Sequence, residues 1–126
     1  KLKNFKNLTL LHCVSSYPLD YKNLNFEKFY YIKRNFNKVG YSGHAEGVED
    51  AIFALSHGAT VIEKHFTIDK SLDGRDNKFA ILPHELKIIC DYEKKLKMIK
   101  EKKETDYGLQ DVEIDVYKNY RGRWQK

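Results

Sequence analysis

The stretch from Val39 to Thr67, which reads VGYSGHAEGVEDAIFALSHGATVIEKHFT, decides the fold. Apolar residues recur in its middle at helical spacing, and Gly58 follows where a helix C-terminal cap is expected. Strands are predicted on either side, at Lys38–Ser42 and Ala59–Phe66. Because a helix that crosses between two neighbouring strands implies that they run parallel, the stretch predicts a parallel strand–helix–strand unit.

Each of these strands ends in a polar pair, Ser42 with His44 and Glu63 with His65. Side chains alternate faces along a strand, so the two members of each pair share a side. In parallel α/β folds, ligands bind beyond the carboxyl ends of the strands. Two imidazoles that converge there indicate a metal centre; the alternative is two unrelated histidines, each satisfied locally.

The segment before this unit adds one more strand and one more helix. Leu8–Val14 is a compact apolar run and is predicted to be a buried strand. Alternation places Ser15 and Tyr17 on one face and His12 on the other, so His12 is not expected to join the polar set. Tyr21–Phe36 has a mainly helical pattern and is predicted to be a second crossover helix.

After Thr67 comes a long, charged loop that contains Asp76. Long ordered loops on rigid scaffolds tend to be functional, although a turn or capping role is equally common for such an aspartate. A helix is predicted from Pro83 to about Lys102, and residues 104–126, which lose periodicity, are predicted to be a tail or linker. Three parallel strands leave open edges, so the chain is expected to be a fragment or to be completed by a partner.

Composition restricts the class of protein further. The chain has 126 residues, of which 41% are hydrophobic and 33% charged, and these values suit one packed domain. The net charge of +5 permits binding to nucleic acid or to an anionic small substrate, but no nucleic-acid motif accompanies it. The two cysteines form no paired motif, no apolar run is long enough to cross a bilayer, and no signal-peptide cleavage site is evident. A cytoplasmic protein without membrane contact is expected.

Four segments, LLHCVSSYP (10–18), VGYSGH (39–44), GATVIEKHFT (58–67) and GRDNKFAILPHEL (74–86), together resemble one known family in letters, order and spacing. That family is the sialic acid synthases, the N-acetylneuraminate synthases with their legionaminate and pseudaminate relatives. The resemblance covers roughly residues 8 to 100. It implies an enzyme that condenses phosphoenolpyruvate with an N-acetylated hexose, releases phosphate and forms a nine-carbon sugar acid.

The resemblance also implies a fold and an assembly. The family's catalytic domain is a TIM barrel, usually followed by a small antifreeze-like domain. Residues 1–103 would be the last three βα units of that barrel, and residues 104–126 a tail or linker toward the second domain. The full-length family enzyme would be a homodimer.

The resemblance also implies which residues contact the metal and phosphoenolpyruvate. His44 and His65 match the two histidines that hold a divalent metal, commonly manganese, with magnesium or cobalt as alternatives. Ser42 matches a serine that contacts the phosphate of phosphoenolpyruvate. Ser15 occupies a position where some members have an asparagine that makes a similar contact.

The acceptor side of the site is implied in the same way. Tyr17 matches a tyrosine near the acceptor sugar, and Asp76 matches an aspartate that contacts the sugar hydroxyls. Glu63 matches an acidic residue that lines the site, and it is the candidate catalytic residue.

The chain departs from the family pattern at three points. Many relatives have aspartate where this chain has Gly43 and threonine where it has Ala45, which removes one hydrogen bond expected beside the metal ligands. The lysines that bind phosphoenolpyruvate belong to the half of the barrel that precedes these segments. Lys64 is expected on the wrong strand face to replace them.

Three functions therefore compete. The first is part of a sugar-acid synthase, and the second is a non-catalytic remnant or a binding module that keeps the metal pair without turnover. An upstream reading frame that encodes the missing strands would favour the first, and a start codon directly before Lys1 the second. The third, a basic nucleic-acid-binding domain, rests only on charge and predicts binding that weakens steeply with salt.

Overall fold

The computed structural model describes residues 7–101, 107–120 and 122. Three parallel strands form its sheet: β1 (Leu10–Cys13), β2 (Val39–Gly43) and β3 (Ile62–Lys64), in the order β1-β2-β3. The predicted parallel pairing of all three strands is confirmed. Each outer strand is shorter than predicted, although an isolated parallel bridge between Phe66 and Ile81 continues beyond β3.

Two helices cross between the strands, α1 (Phe26–Asn35) and α2 (Glu49–Ser56). The predicted continuous helix from Tyr21 to Phe36 is wrong at its start, where a separate 3-10 turn occupies Tyr21–Asn23. The break lies at Asn25, whose φ of 50° is left-handed and incompatible with a continuing right-handed helix.

Helix α3 (Pro83–Glu101) follows the long loop and begins at the proline, as predicted. The predicted end at Lys102 lies outside the described residues. Within the predicted tail, a 3-10 turn (Asp111–Glu113) leads into α4 (Ile114–Tyr120), an exposed helix that the sequence did not indicate. The rest of that segment, 104–106, 121 and 123–126, is also outside the described residues.

Helix α2 lies between two apolar clusters and holds the layers together. Its Ala54 packs with Phe29 and Tyr41 in the first cluster, and its Ala51 packs with Ile89 in the second. Both alanines are fully buried, so small side chains permit close approach of α2 to its neighbours. The helices therefore cover one face of the sheet.

His12 lies on this covered face. It is buried, and its Nε2 donates to the carbonyl oxygen of Leu24 at 2.7 Å. Its ring also lies beside Phe26, at a centroid distance of 5.8 Å. The prediction that His12 is separate from the polar strand ends is confirmed.

No helix among the described residues is both long enough and apolar enough to span a membrane.

Candidate metal and substrate site

The open face of the sheet carries a row of polar side chains. Strand register pairs Cys13 with Ser42 and Ser42 with Glu63. Because side chains alternate faces, these three residues point to the same side of neighbouring strands. The Ser42 hydroxyl donates to Glu63 Oε1 at 2.7 Å, so the first members of the two polar pairs are in direct contact.

The second members of the pairs, His44 and His65, lie two residues further along each strand, past its carboxyl end. Their ring centroids are 5.5 Å apart. A cavity of about 240 Å³ is lined by Ser42, His44, Glu63, Lys64 and His65. The structure thus brings both polar pairs into one cavity, as the alternation predicts.

Hydrogen bonds fix the ring of His44. Its Nδ1 lies 2.8 Å from the carbonyl oxygen of Val14, an arrangement in which Nδ1 carries the proton and donates it. Nε2 is then left with a free lone pair. The backbone carbonyl of His44 also accepts from the N–H of Leu19 at 2.9 Å, which ties the loop after β1 to the end of β2. His44 is therefore buried, and its ring is held in one orientation.

His65 is held from the side of the long loop. The loop returns beside β3, where the N–H of Ile81 donates to the carbonyl oxygen of His65 at 2.8 Å. This return places Asp76 Oδ2 at 3.7 Å from His65 Nδ1. A metal-binding histidine commonly turns its other ring nitrogen to a carbonyl or carboxylate, and His44 and His65 both have such an oxygen nearby.

These donors fit a divalent metal that keeps open coordination positions. Two neutral imidazoles are suitable ligands for a first-row ion, and the carboxylate of Glu63 lines the same cavity. Within residues 7–101, 107–120 and 122, no cluster of three or more His, Cys, Asp and Glu side chains is arranged to hold a metal.

A second cavity, also of about 240 Å³, adjoins the first and is lined by Tyr17, His65, Arg75 and Asp76. The ring of Tyr17 lies 4.1 Å from that of His44 and 5.7 Å from that of His65, between centroids. The structure therefore places Tyr17 and Asp76 together, next to the histidine pair. Arg75 was not predicted; its place beside Asp76, within the family-matching segment 74–86, was the signal that could have indicated it.

Ser15 stands apart from the other candidates. Its side chain is exposed, and its hydroxyl lies 3.8 Å from the thiol of Cys13. It lines neither of the two cavities. Of the seven candidate residues, Ser15 alone is outside the constellation that the described residues form.

Lys64 forms part of the first cavity's wall, but its ammonium group points toward the helices. It donates to Asp50 Oδ1 at 2.7 Å and to the carbonyl oxygen of Ala45 at 2.8 Å. Tyr41 donates its hydroxyl to Asp50 Oδ2 at 3.1 Å, and burial together with this carboxylate raises the pKa of the Tyr41 phenol far above its ordinary value. Lys64 is thus on the covered face, as expected, in a buried ion pair that the sequence analysis missed.

The fold and site define an α/β unit with a two-histidine site at the carboxyl edge of a parallel sheet. The chain belongs to the NeuB family, whose model matches residues 1–105. The predicted family is therefore confirmed.

Several relatives are named as synthases of legionaminic acid, pseudaminic acid or N-acetylneuraminate 9-phosphate. An N,N'-diacetyllegionaminic acid synthase from Campylobacter jejuni is 43% identical over 86 residues, which cover 68% of this chain and 26% of the relative. An N-acetylneuraminate-9-phosphate synthase from Drosophila melanogaster is 41% identical over 86 residues, or 67% of this chain and 23% of the relative. The chain thus spans about a quarter of the length of the curated relatives it matches.

Solved structures agree with the family. An N-acetylneuraminic acid (sialic acid) synthetase from Leptospira borgpetersenii, in complex with citrate, matches with a TM-score of 0.70 and 31% identity. The match covers 94% of this chain and 41% of that one. A spore coat polysaccharide biosynthesis protein from Bacillus subtilis, SpsE, matches with a TM-score of 0.67 and 31% identity, over 86% of this chain and 34% of that one.

Proposed function

We propose that residues 1–103 are the last three βα units of a TIM barrel and form the metal and acceptor part of a sugar-acid synthase. The reaction is the condensation of phosphoenolpyruvate with an N-acetylated hexose, with release of phosphate. The observation that carries this proposal is the meeting of Ser42, His44, Glu63 and His65 in one cavity at the carboxyl ends of two adjacent parallel strands. The names of the relatives support the product class, an N-acetylated sugar acid.

His44 and His65 would hold the metal, with Mn²⁺ as the first candidate and Mg²⁺ or Co²⁺ as alternatives. When bound, a divalent ion supplies Lewis-acid polarisation of the sugar carbonyl. The contribution of the chain is to orient both imidazoles, through the Val14 carbonyl at Nδ1 of His44 and Asp76 near Nδ1 of His65.

Ser42 and Glu63 act as a pair on the side of phosphoenolpyruvate. In this structure the Ser42 hydroxyl donates to Glu63, so a bound phosphate would compete with Glu63 for that hydrogen. Once Ser42 turns to the phosphate, the Glu63 carboxylate would be free to accept a hydrogen bond from substrate. Glu63 is therefore positioned to hold or deliver a proton beside the reacting groups.

Tyr17, Asp76 and Arg75 form the acceptor side. The ring of Tyr17 contacts that of His44 and offers an apolar surface next to the metal pair. The carboxylate of Asp76 can accept hydrogen bonds from sugar hydroxyls, as acidic residues in polar pockets do. Ser15, which lies outside both cavities, contributes only if bound substrate extends toward β1.

The experiment is a phosphate-release assay on the complete natural polypeptide that contains residues 1–126. Phosphate released from phosphoenolpyruvate should depend both on an N-acetylated hexosamine and on Mn²⁺, and a chelator should abolish it. Metal binding without phosphate release would contradict the synthase and favour a non-catalytic binding module. A control reaction with the unacetylated hexosamine tests whether the N-acetyl group is recognised.

A further inference from the structure

We propose that Asp50, acting through Lys64, is a positioning residue for the histidine pair. The absence of a side chain at Gly43, in β2, leaves room for the Asp50 carboxylate. The inference rests on the proposed metal role of His44 and His65, because it assigns a group that sets their relative position. The carboxylate of Asp50 and the ammonium group of Lys64 contact each other on the face of the sheet that the helices cover.

Lys64 links the backbone next to both histidines. It precedes His65 in β3, and its ammonium group reaches across to the carbonyl oxygen of Ala45, the residue that follows His44, at 2.8 Å. Its side chain is only 4% exposed. One buried ammonium group thus links the carboxyl ends of β2 and β3 on the face that the helices cover. Its location therefore affects the positions of both imidazoles.

Asp50 holds that cation in place. Its Oδ1 accepts from Lys64 at 2.7 Å and from the N–H of Ala51 at 2.8 Å, and its Oδ2 accepts from the Tyr41 hydroxyl at 3.1 Å. The Asp50 side chain has no solvent exposure. A buried charge whose partner is removed is strongly destabilised, so without Asp50 the Lys64 ammonium would move toward water and release Ala45.

Gly43 makes this arrangement possible. A Cβ atom at position 43 would lie 2.5 Å from Asp50 Oδ2 and 2.8 Å from the Tyr41 ring, distances that real Cβ atoms do not show. Strand register pairs Gly43 directly with Lys64, so a carboxylate carried by residue 43 would face the same ammonium group. A carboxylate from α2 thus occupies the space that a side chain at position 43 would take.

The test moves the carboxylate from position 50 to position 43 in the complete natural polypeptide. Asp50→Asn removes the charge, and the double variant Gly43→Asp/Asp50→Ala places it on β2 in the space that Asp50 leaves. Removal of Asp50 also frees the Tyr41 hydroxyl, so the Tyr41 ring can shift away from the new Cβ. Asp91→Asn, which breaks the exposed Lys87–Asp91 pair on α3, is the matched control.

Two readouts separate positioning from general stability. The first is Mn²⁺ affinity, measured from the electron paramagnetic resonance signal of free ion. The second needs no metal: nitrogen-15 NMR of the imidazoles at about pH 8, where histidine is neutral, reports the Nδ1–H tautomer of His44. We expect Asp50→Asn to weaken Mn²⁺ binding about 10- to 100-fold and to mix the tautomers. The double variant should recover both, and Asp91→Asn should change neither.

Three other outcomes would support or overturn the inference. If Asp50→Asn folds and keeps both the wild-type Mn²⁺ affinity and a single tautomer, the inference is wrong while the proposed function stands. If the wild type binds no Mn²⁺, the proposed function fails, and the tautomer of Asp50→Asn decides the positioning role: a mixture supports it and a single form overturns it. If Asp50→Asn does not fold, recovery of folding and of the single tautomer in the double variant supports the inference, and no recovery overturns it.

Discussion

The imidazole rings of His44 and His65 lie 5.5 Å apart between centroids, although a whole helix separates the two residues in the chain. The ring of Tyr17, from the loop after β1, contacts both. Three consecutive strand ends therefore contribute one aromatic side chain each to the same point. The proposed metal role depends on this arrangement of the three rings.

The first prediction separates His12 from the two histidines that are proposed to bind the metal. His12→Ala removes the buried hydrogen bond to the Leu24 carbonyl and the ring contact with Phe26. We expect a loss of about 1–3 kcal/mol in the free energy of unfolding, because a part-buried acceptor loses its donor. Mn²⁺ affinity should not change, since His12 lies on the covered face. Urea unfolding and a metal titration check both points, and a loss of Mn²⁺ affinity in a variant that is still folded would contradict the assignment.

The second prediction concerns the Ser42–Glu63 contact. Glu63→Gln keeps the shape of the side chain but removes the proton-accepting carboxylate, so kcat for phosphate release should fall on the order of 10²-fold or more. Mn²⁺ affinity should fall far less, because the histidine pair is intact. Glu93→Gln, in the Glu93–Lys97 pair along α3, serves as control. An unchanged kcat in Glu63→Gln would remove Glu63 from the proton-transfer role.

The third prediction is a pH dependence at the loop after β2. Tyr21 donates its hydroxyl to Glu49 Oε2 at 2.9 Å and to the carbonyl oxygen of Glu46, which ties the loops after β1 and β2 together. A hydrogen bond from its own backbone and then that from Tyr21 lower the pKa of Glu49 below its ordinary value of 4.5. A lowered folded-state pKa stabilises the fold above the unfolded pKa, and this contribution is lost as pH falls through the folded pKa.

Because Glu49 is largely exposed, the effect should be below about 1 kcal/mol. Tyr21→Phe should remove part of the acid-dependent loss of stability below about pH 4.5, and Tyr31→Phe, at an exposed position on α1, should not. Unfolding free energies measured between neutral pH and about pH 3 give the comparison. Identical pH profiles for Tyr21→Phe and wild type would show that this contact does not contribute.

The fourth prediction concerns residues 1–126 as an isolated chain. One face of the sheet carries exposed Cys13 and Glu63, and β1 and β3 each have one strand partner among the described residues. A groove of about 590 Å³ also opens between β3 and α3 and is lined mainly by apolar side chains. Unpaired edges and open apolar surface favour association, so we expect aggregation or marginal stability. A monodisperse monomer with a reversible, cooperative thermal transition would contradict this.

Much of the fold could be predicted because it depends on local patterns. The alternation in YSGH and IEKH sets which side chains face the cavity, and the crossover at α2 sets the parallel direction. These two rules place His44 beside His65 without any knowledge of packing. The break at Asn25 was missed because apolar spacing continues through it, and only the backbone conformation shows the interruption.

The remaining features depend on contacts between distant segments. Asp50 and Lys64 each look like a solvated charge in the sequence, yet the structure buries them as a pair. The fit of that pair against Gly43 requires the register of β2 and β3, which a sequence pattern does not specify. Arg75 reaches its cavity because the loop returns to His65 through Ile81. Sequence periodicity carries no information about such returns.

The most direct test of the central claim is a Mn²⁺ titration, followed by electron paramagnetic resonance, of the complete natural polypeptide and of two histidine variants. His65→Ala should weaken Mn²⁺ binding by at least about 100-fold and abolish metal-dependent phosphate release, because a single imidazole cannot fix the ion beside the substrate. His84→Ala, an exposed histidine on α3, should bind Mn²⁺ like the wild type. Wild-type Mn²⁺ affinity in folded His65→Ala would contradict the account.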